Sequence, residues 1–209
     1  MKVLLVNGGP HKEGCTYTAL KEVADTLNEE GIETEIFWLG VKPISGCIAC
    51  GTCYEKGKCV FDDVVNEFAL KCKEADGFIF GTPVHYAAAS GAMTSFMDRL
   101  FYSASGDKSL FRLKPAASVI SARRSGTTVT YDQINKYFGI NEMPIISSRY
   151  WNMVHGNTPD EVRKDEEGMQ IMRVLGRNMA YFLKCKEAGI KAGIQEPERE
   201  KTKLTNFIK

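Results

Sequence analysis

The stretch "KVLLVNGGPHKEGCTYT", residues 2–18, carries most of the information about the fold. Val3-Leu4-Leu5-Val6 is a continuous apolar run bounded by a turn signal, the pattern of a strand covered on both faces. Gly8, Gly9 and Gly14 allow tight turning and close backbone approach. From about Thr16 the period changes. Leu20, Val23, Ala24 and Leu27 recur at i, i+3, i+4, i+7, one face of a helix that Gly31 ends. A buried strand, a glycine-rich loop and a helix make the opening of a parallel α/β domain, whose ligands bind at the carboxyl ends of the strands.

The same alternation continues down the chain. Strands are predicted at Glu33 to Leu39, Gly77 to Gly81, Ala116 to Ser121 and Met143 to Ser147. Helices are predicted from an Asp62-Asp63 cap to about Glu74, through Met93, Phe96, Met97, Leu100 and Phe101, and over Thr127 to Phe138. Thr158-Pro159-Asp160-Glu161 is a capping box that opens a final helix with Met172, Leu175, Met179, Phe182 and Leu183 on one face. The expected fold is α/β: a five-stranded parallel sheet with helices on both faces, as a three-layer sandwich. Residues 1–188 form the domain. Residues 189–209 are a charged tail, either a disordered end or an arm laid on a partner subunit.

The 209 residues suit one domain, and 44% hydrophobic content suffices for a core. A formal net charge of +1 with no long basic run gives no reason to expect nucleic acid. The strand starting at Lys2 leaves no room for a signal peptide, and no apolar run is long enough to span a membrane. A cytoplasmic protein without nucleic-acid or membrane partners is therefore expected. Thiols stay reduced there, so clustered cysteines point to metal or redox chemistry.

What the first loop binds follows by elimination. Gly9 and Gly14 have P-loop spacing and Thr16 follows, but Cys15 stands where the lysine belongs. Gly8, Gly9 and Gly14 do not match G-x-G-x-x-G, and Phe37-Trp38-Leu39 lacks the ribose-binding acid. Val6-Asn7-Gly8 lacks the carboxylates of a phosphate-accepting aspartate site. A monophosphate held by backbone amides and hydroxyls at a helix start remains, and flavin mononucleotide (FMN) on a flavodoxin-like fold is such a ligand. Two later loops suit the ring: Thr82 to Tyr86 after the third strand and Ser121 to Thr127 after the fourth.

With these loops in place, the chain from Lys2 to about Ala188 resembles the NAD(P)H-dependent flavin reductases of flavodoxin fold, and within them the iron–sulfur flavoprotein branch. The family's first loop reads G-S-P-R-x-x-G-N-T. Here it is Gly8-Gly9-Pro10-His11-Lys12-Glu13-Gly14-Cys15-Thr16, so Gly9 replaces a serine, His11 an arginine and Cys15 an asparagine. Gly81 to Tyr86 matches G-[ST]-P-V-x-[YF], and "SARRSGTT" is similar to the branch's R-R-x-G-T. The resemblance implies that Gly9, His11, Cys15, Thr16, Tyr17 and Thr18 hold the FMN phosphate. It implies that Thr82, Pro83, Val84, His85 and Tyr86 line the flavin, and that Ser121, Arg123, Arg124, Gly126 and Thr127 cover its other side or receive the phosphates of NAD(P)H.

Cys47, Cys50, Cys53 and Cys59 lie in the long loop after the second strand, spaced C-x2-C-x2-C-x5-C. The spacing is close to a compact ferredoxin pattern, but Val60 stands where that pattern has proline. Zinc sites usually join two separated pairs, and no second pair exists here. A [4Fe–4S] cluster, zinc and metal-free thiols all remain open on spacing. The resemblance points to the cluster, placed at the carboxyl edge of the sheet near the flavin. Cys72 and Cys185 read as lone thiols on helices, and Trp38 and Trp151 as core or interface rings. His85 is a candidate proton donor to reduced flavin, and its loop equally needs only its backbone. His155 reads as a local hydrogen-bonding residue. The expected function is hydride transfer from NAD(P)H to FMN and on to a small-molecule acceptor, in a homodimer or homotetramer. The alternative is a non-enzymatic electron carrier.

Overall fold

A computed structural model describes residues 1–104 and 110–207. Five strands form one parallel sheet in the order β2-β1-β3-β5-β6: β1 (Lys2–Asn7), β2 (Glu33–Trp38), β3 (Gly77–His85), β5 (Ala116–Ala122) and β6 (Met153–His155). A sixth strand, β4 (Ala88–Ala89), turns back antiparallel on the end of β3, pairing Val84 with Ala89 and His85 with Ala88. The first four parallel strands come from the alternation read in the sequence. The two-residue hairpin strand left no periodic signal.

Every residue of the Val3–Val6 run is buried because the sheet is covered twice. Leu4 and Val6 face a core rich in phenylalanine, including Phe68, Phe78, Phe80 and Phe96. Val3 and Leu5 face a core of aliphatic residues and methionine. The first core is closed by α3 (Val64–Lys71), α4 (Gly91–Ser103) and α5 (Thr127–Ile140). The second is closed by α1 (Cys15–Glu29), α6 (Pro159–Lys164) and α7 (Glu166–Lys191). Helix α1 packs on α7 closely enough that a Cβ on Gly176 would stand 2.8 Å from Thr26 Cβ and 3.1 Å from the Val23 carbonyl. Alanine gains up to about 1 kcal/mol of helix propensity there, but the backbone carbonyl cannot step aside. Gly176→Ala is expected to destabilise by about 1–2 kcal/mol net, read as a Tm lower by ~3–6 °C.

Four elements differ from the sequence reading. The fifth strand is not Met143 to Ser147. There the chain makes a single bridge, Ile145 to Ala116, and Pro144 can contribute only its carbonyl, accepting from Ala116 N. The ladder resumes eight residues after that bridge, with Met153, Val154 and His155 pairing Ile120, Ser121 and Ala122. The capping box at Thr158 opens only α6. The chain breaks at Asp165, whose carboxylate accepts from Gly168 N and starts α7 afresh. Helix α7 runs to Lys191, so regular structure passes the expected boundary at 188. The cysteine loop contains a short helix, α2 (Thr52–Lys56). The tail touches its own chain: Arg112 donates to the Pro197 carbonyl at 2.9 Å, and Arg199 pairs with Glu142 at 2.9 Å. Residues 208 and 209 of the tail lie outside the described residues. Among the described residues, no helix is long and apolar enough to cross a membrane.

Candidate functional site: a phosphate-loop cleft and a cysteine cavity

The carboxyl ends of β1, β3, β5 and β6 open into one cleft of about 250 Å³. Three loops expected from the sequence meet there. Gly9, His11, Cys15 and Thr16 come from the first, Pro83, Val84 and His85 from the second, and Ser121 and Arg123 from the third. Gly156 and Asn157, after β6, form a further wall. They were not singled out because the strand before them was misplaced. A Cβ on Gly156 would stand 2.6 Å from Val162 N and 3.0 Å from the Glu161 carbonyl carbon, so only glycine lets this wall pack on α6.

The first loop is held from below by a residue the sequence reading passed over. Asn7 is fully buried at the end of β1. Its Oδ1 accepts from Gly9 N at 2.9 Å, and its Nδ2 donates to the Lys12 carbonyl at 3.0 Å. Trp38, expected as a core or interface ring, also braces the same loop, its Nε1 donating to the Gly9 carbonyl at 2.9 Å. Ser90 caps α4 through Met93 N and donates to the Gly8 carbonyl at 3.0 Å. The loop thus has fixed partners on three sides, and its outer face is turned to the cleft.

Helices α1 and α5 begin at glycines, Gly14 and Gly126, with no side-chain cap. Helices α3, α4, α6 and α7 are all capped by a side chain. An uncapped start leaves N–H groups and positive potential for an anion. At α1 this start lines the cleft. Thr16 and Ser121 share one hydrogen bond at 2.8 Å between their hydroxyls. One hydroxyl hydrogen closes that bond, and the other stays free for a ligand. Thr18 differs: its hydroxyl donates to the Gly14 carbonyl at 3.1 Å. Tyr17 and Thr18 do not line the cleft. Thr82 lies beneath it, accepting from Ser90 N at 3.1 Å. Gly126, at φ +90°, would place a Cβ 3.0 Å from Val84, so the second and third loops pack together there. Thr127 is buried behind it, Arg124 is exposed, and Tyr86 is fully exposed at φ +60°. His155 backs the cleft through its main chain, its N–H donating to Asp165 at 2.7 Å.

The four clustered cysteines line a second, separate cavity, together with Phe61, Arg99 and Tyr102. It shares no lining residue with the cleft. The cysteines and the loop cleft are thus two distinct sites. The loop folds along the flank of α4, and Arg99 stands nine residues beyond Ser90, about 14 Å along the helix axis. All four thiols are free. Cys53 is pushed up in pKa, first by burial and then by the charges of Cys47, Cys50 and Cys59. Cys50 is shifted down, chiefly by a hydrogen bond from Thr52. The donor set suits a thiolate-bound cluster. As placed, the sulfurs do not close on a metal: among the described residues, no group of three or more His, Cys, Asp or Glu side chains forms a metal site. About 20 Å³ of free space lies between them. The loop turns at Ala49, Gly51 and Gly57, all at positive φ.

The strand order and the loop cleft at the carboxyl edge define a flavodoxin-like α/β protein. The chain belongs to the NADPH-dependent FMN reductase family, whose model matches residues 1–158. It is 34% identical over 189 residues to the iron–sulfur flavoprotein MJ1083 of Methanocaldococcus jannaschii, covering 88% of this chain and 98% of that one. Two solved structures share the fold. RosB with a bound riboflavin-phosphate intermediate superposes with TM-score 0.70 at 16% identity, over 99% of this chain and 92% of that one. A flavodoxin from the domain Archaea superposes with TM-score 0.58 at 14% identity, over 88% and 99%.

Proposed function

We propose that this chain is an FMN-dependent oxidoreductase that takes hydride from NAD(P)H and passes electrons to a small acceptor, with a [4Fe–4S] cluster in the cysteine loop as relay. The observation that carries the reading is the uncapped α1 start beside a loop pinned by Asn7, Trp38 and Ser90. A preformed anion cradle of this kind suits the FMN phosphate. The name of the methanogen relative supports the cluster. FMN, when bound, supplies the hydride and electron chemistry.

The chain's own residues then have distinct tasks. Gly9, His11, Cys15, Thr16 and the first amides of α1 bind the phosphate. Pro83, Val84 and His85 on one side, with Ser121 and Gly156 on the other, orient the ring and limit access of water. Arg123 and Arg124, exposed at the mouth, bind the phosphates of the incoming nicotinamide cofactor through planar charge-assisted contacts. Replacing both arginines by alanine is expected to raise KM for NADPH about tenfold and leave kcat within about twofold, because the contact is made equally in ground and transition states. Cys47, Cys50, Cys53 and Cys59 hold the cluster in a reducing, cytoplasmic setting. A homodimer or homotetramer remains the proposed assembly, supported by the exposed aromatic pair Tyr150 and Trp151.

Flavin, iron and sulfide analysis of protein purified without oxygen tests the cofactor assignment. The expected result is FMN with about four iron and four sulfide per flavin. Flavin without iron would reject the relay and leave the flavin reading, whereas iron without flavin would reject the reading of the cleft.

A further inference from the structure

Helix α4 carries a charge on its buried face. Arg99 is 1% exposed, three residues after Phe96 and next to Leu100, both fully buried. Among the described residues it is the largest fully buried side chain. Its five N–H donors are all directed. Nη1 donates to Asp63 Oδ2 at 2.7 Å and to the Ser45 carbonyl at 3.3 Å. Nη2 donates to Asp63 Oδ1 at 2.8 Å and makes a long 3.5 Å contact to the Phe61 carbonyl. Nε donates to Cys59 Sγ at 3.2 Å. The guanidinium carbon lies 4.8 Å from the centre of the Phe61 ring.

Cys59 is also held by its backbone. Its N–H donates to Asn66 Oδ1 at 3.0 Å, and its carbonyl accepts from Asn66 Nδ2 at 2.9 Å. Cys47 and Cys50 are exposed, and Cys53 sits on the five-residue α2 between the loop's two turning glycines. One thiol of the four is therefore anchored at both sulfur and backbone by residues of α3 and α4, while the other three lie on the outer part of the loop.

We propose that Arg99 is a positioning residue for Cys59: its Nε–H fixes the sulfur as the anchored ligand of the cysteine loop and, by donating to it, raises the reduction potential of the cluster held there. The inference rests on the cluster reading above. Reduction adds one electron to the cluster and makes its cysteine sulfurs better acceptors, so a donor on one sulfur stabilises the reduced state more than the oxidised one. Burial strengthens the effect, because water does not compete for the contact. A lysine at this position keeps the charge and loses the fork that serves Asp63 and sulfur together.

The test is an anaerobic dithionite titration of the holoprotein, followed by electron paramagnetic resonance at fixed potentials, for the parent, Arg99→Lys and Asp63→Asn. Asparagine keeps the cap on α3 and removes the counter-charge, so Arg99 is left fully positive on the sulfur. Arg99→Lys is expected to lower the ratio of reduced to oxidised cluster about tenfold at a given potential, a midpoint lower by about 59 mV for one electron. Asp63→Asn is expected to shift it upward. Far-UV circular dichroism and FMN content establish that each variant is folded, and Asp63→Asn carries the test alone if Arg99→Lys is not. Midpoints and resonance spectra unchanged in a folded variant that holds its cluster would overturn the role of Arg99. A parent protein without iron would overturn the cluster reading, and this inference with it.

Discussion

Asn7→Leu is expected to weaken FMN binding about 100-fold, close to 2.7 kcal/mol. Leucine keeps the branched heavy-atom skeleton, is bulkier, and has no polar atoms. It strands the Gly9 N–H and the Lys12 carbonyl, both now paired to the Asn7 side chain under the first loop. Each unpaired group costs about 1–3 kcal/mol where water cannot reach it. The loop will escape part of that cost by moving, and a moved loop must be re-ordered when the ligand binds. Asn7 lies beneath the loop and does not line the cleft, so the effect passes through positioning. Titration of the apoprotein with FMN, followed by flavin fluorescence, measures it. A dissociation constant within threefold of the parent would refute the role assigned to Asn7.

Cys53→Ala is expected to reduce iron and sulfide to less than about one tenth of the parental content, because a cubane cluster takes four thiolates and loses stability with three. FMN content is expected to stay within about twofold, since the cysteine cavity and the cleft share no residue. Chemical analysis and the visible spectrum of anaerobically purified protein give both numbers. Parental iron in the variant would remove Cys53 from the ligand set. Iron and FMN lost together would contradict the independence of the two sites.

The parallel sheet was legible in the sequence because it is buried on both faces, which leaves continuous apolar runs such as Val3–Val6. The three loops were legible because Gly8-Gly9, Thr82-Pro83 and Arg123-Arg124 interrupt those runs at strand ends. What escaped depends on long-range pairing. Met143 to Ser147 has the composition of a strand, yet its hydrogen bonds are used around Pro144, and the ladder passes to Met153–His155. With that strand misplaced, Gly156 and Asn157 had no reason to be placed in the cleft. Asn7 looked like an ordinary turn residue, because its partners at Gly9 and Lys12 define a loop shape and no spacing rule. Arg99 did leave a signal: a charge three residues after Phe96, on a face otherwise apolar. The spacing departs from the compact ferredoxin pattern only in the last gap, before Cys59, and at Val60. In the structure Cys59 is the most firmly held of the four thiols.

The competing reading, an electron carrier that exchanges electrons with protein partners, uses the same FMN cleft and the same cysteines. The two readings differ in whether a nicotinamide cofactor delivers hydride. Rapid anaerobic mixing of the FMN-loaded protein with NADPH, and in parallel with NADH, separates them at the absorbance of oxidised flavin. Loss of that absorbance at a rate that saturates with the concentration of one of the two cofactors is the predicted result. Flavin that stays oxidised with both, while dithionite reduces it in the same sample, would contradict the oxidoreductase assignment.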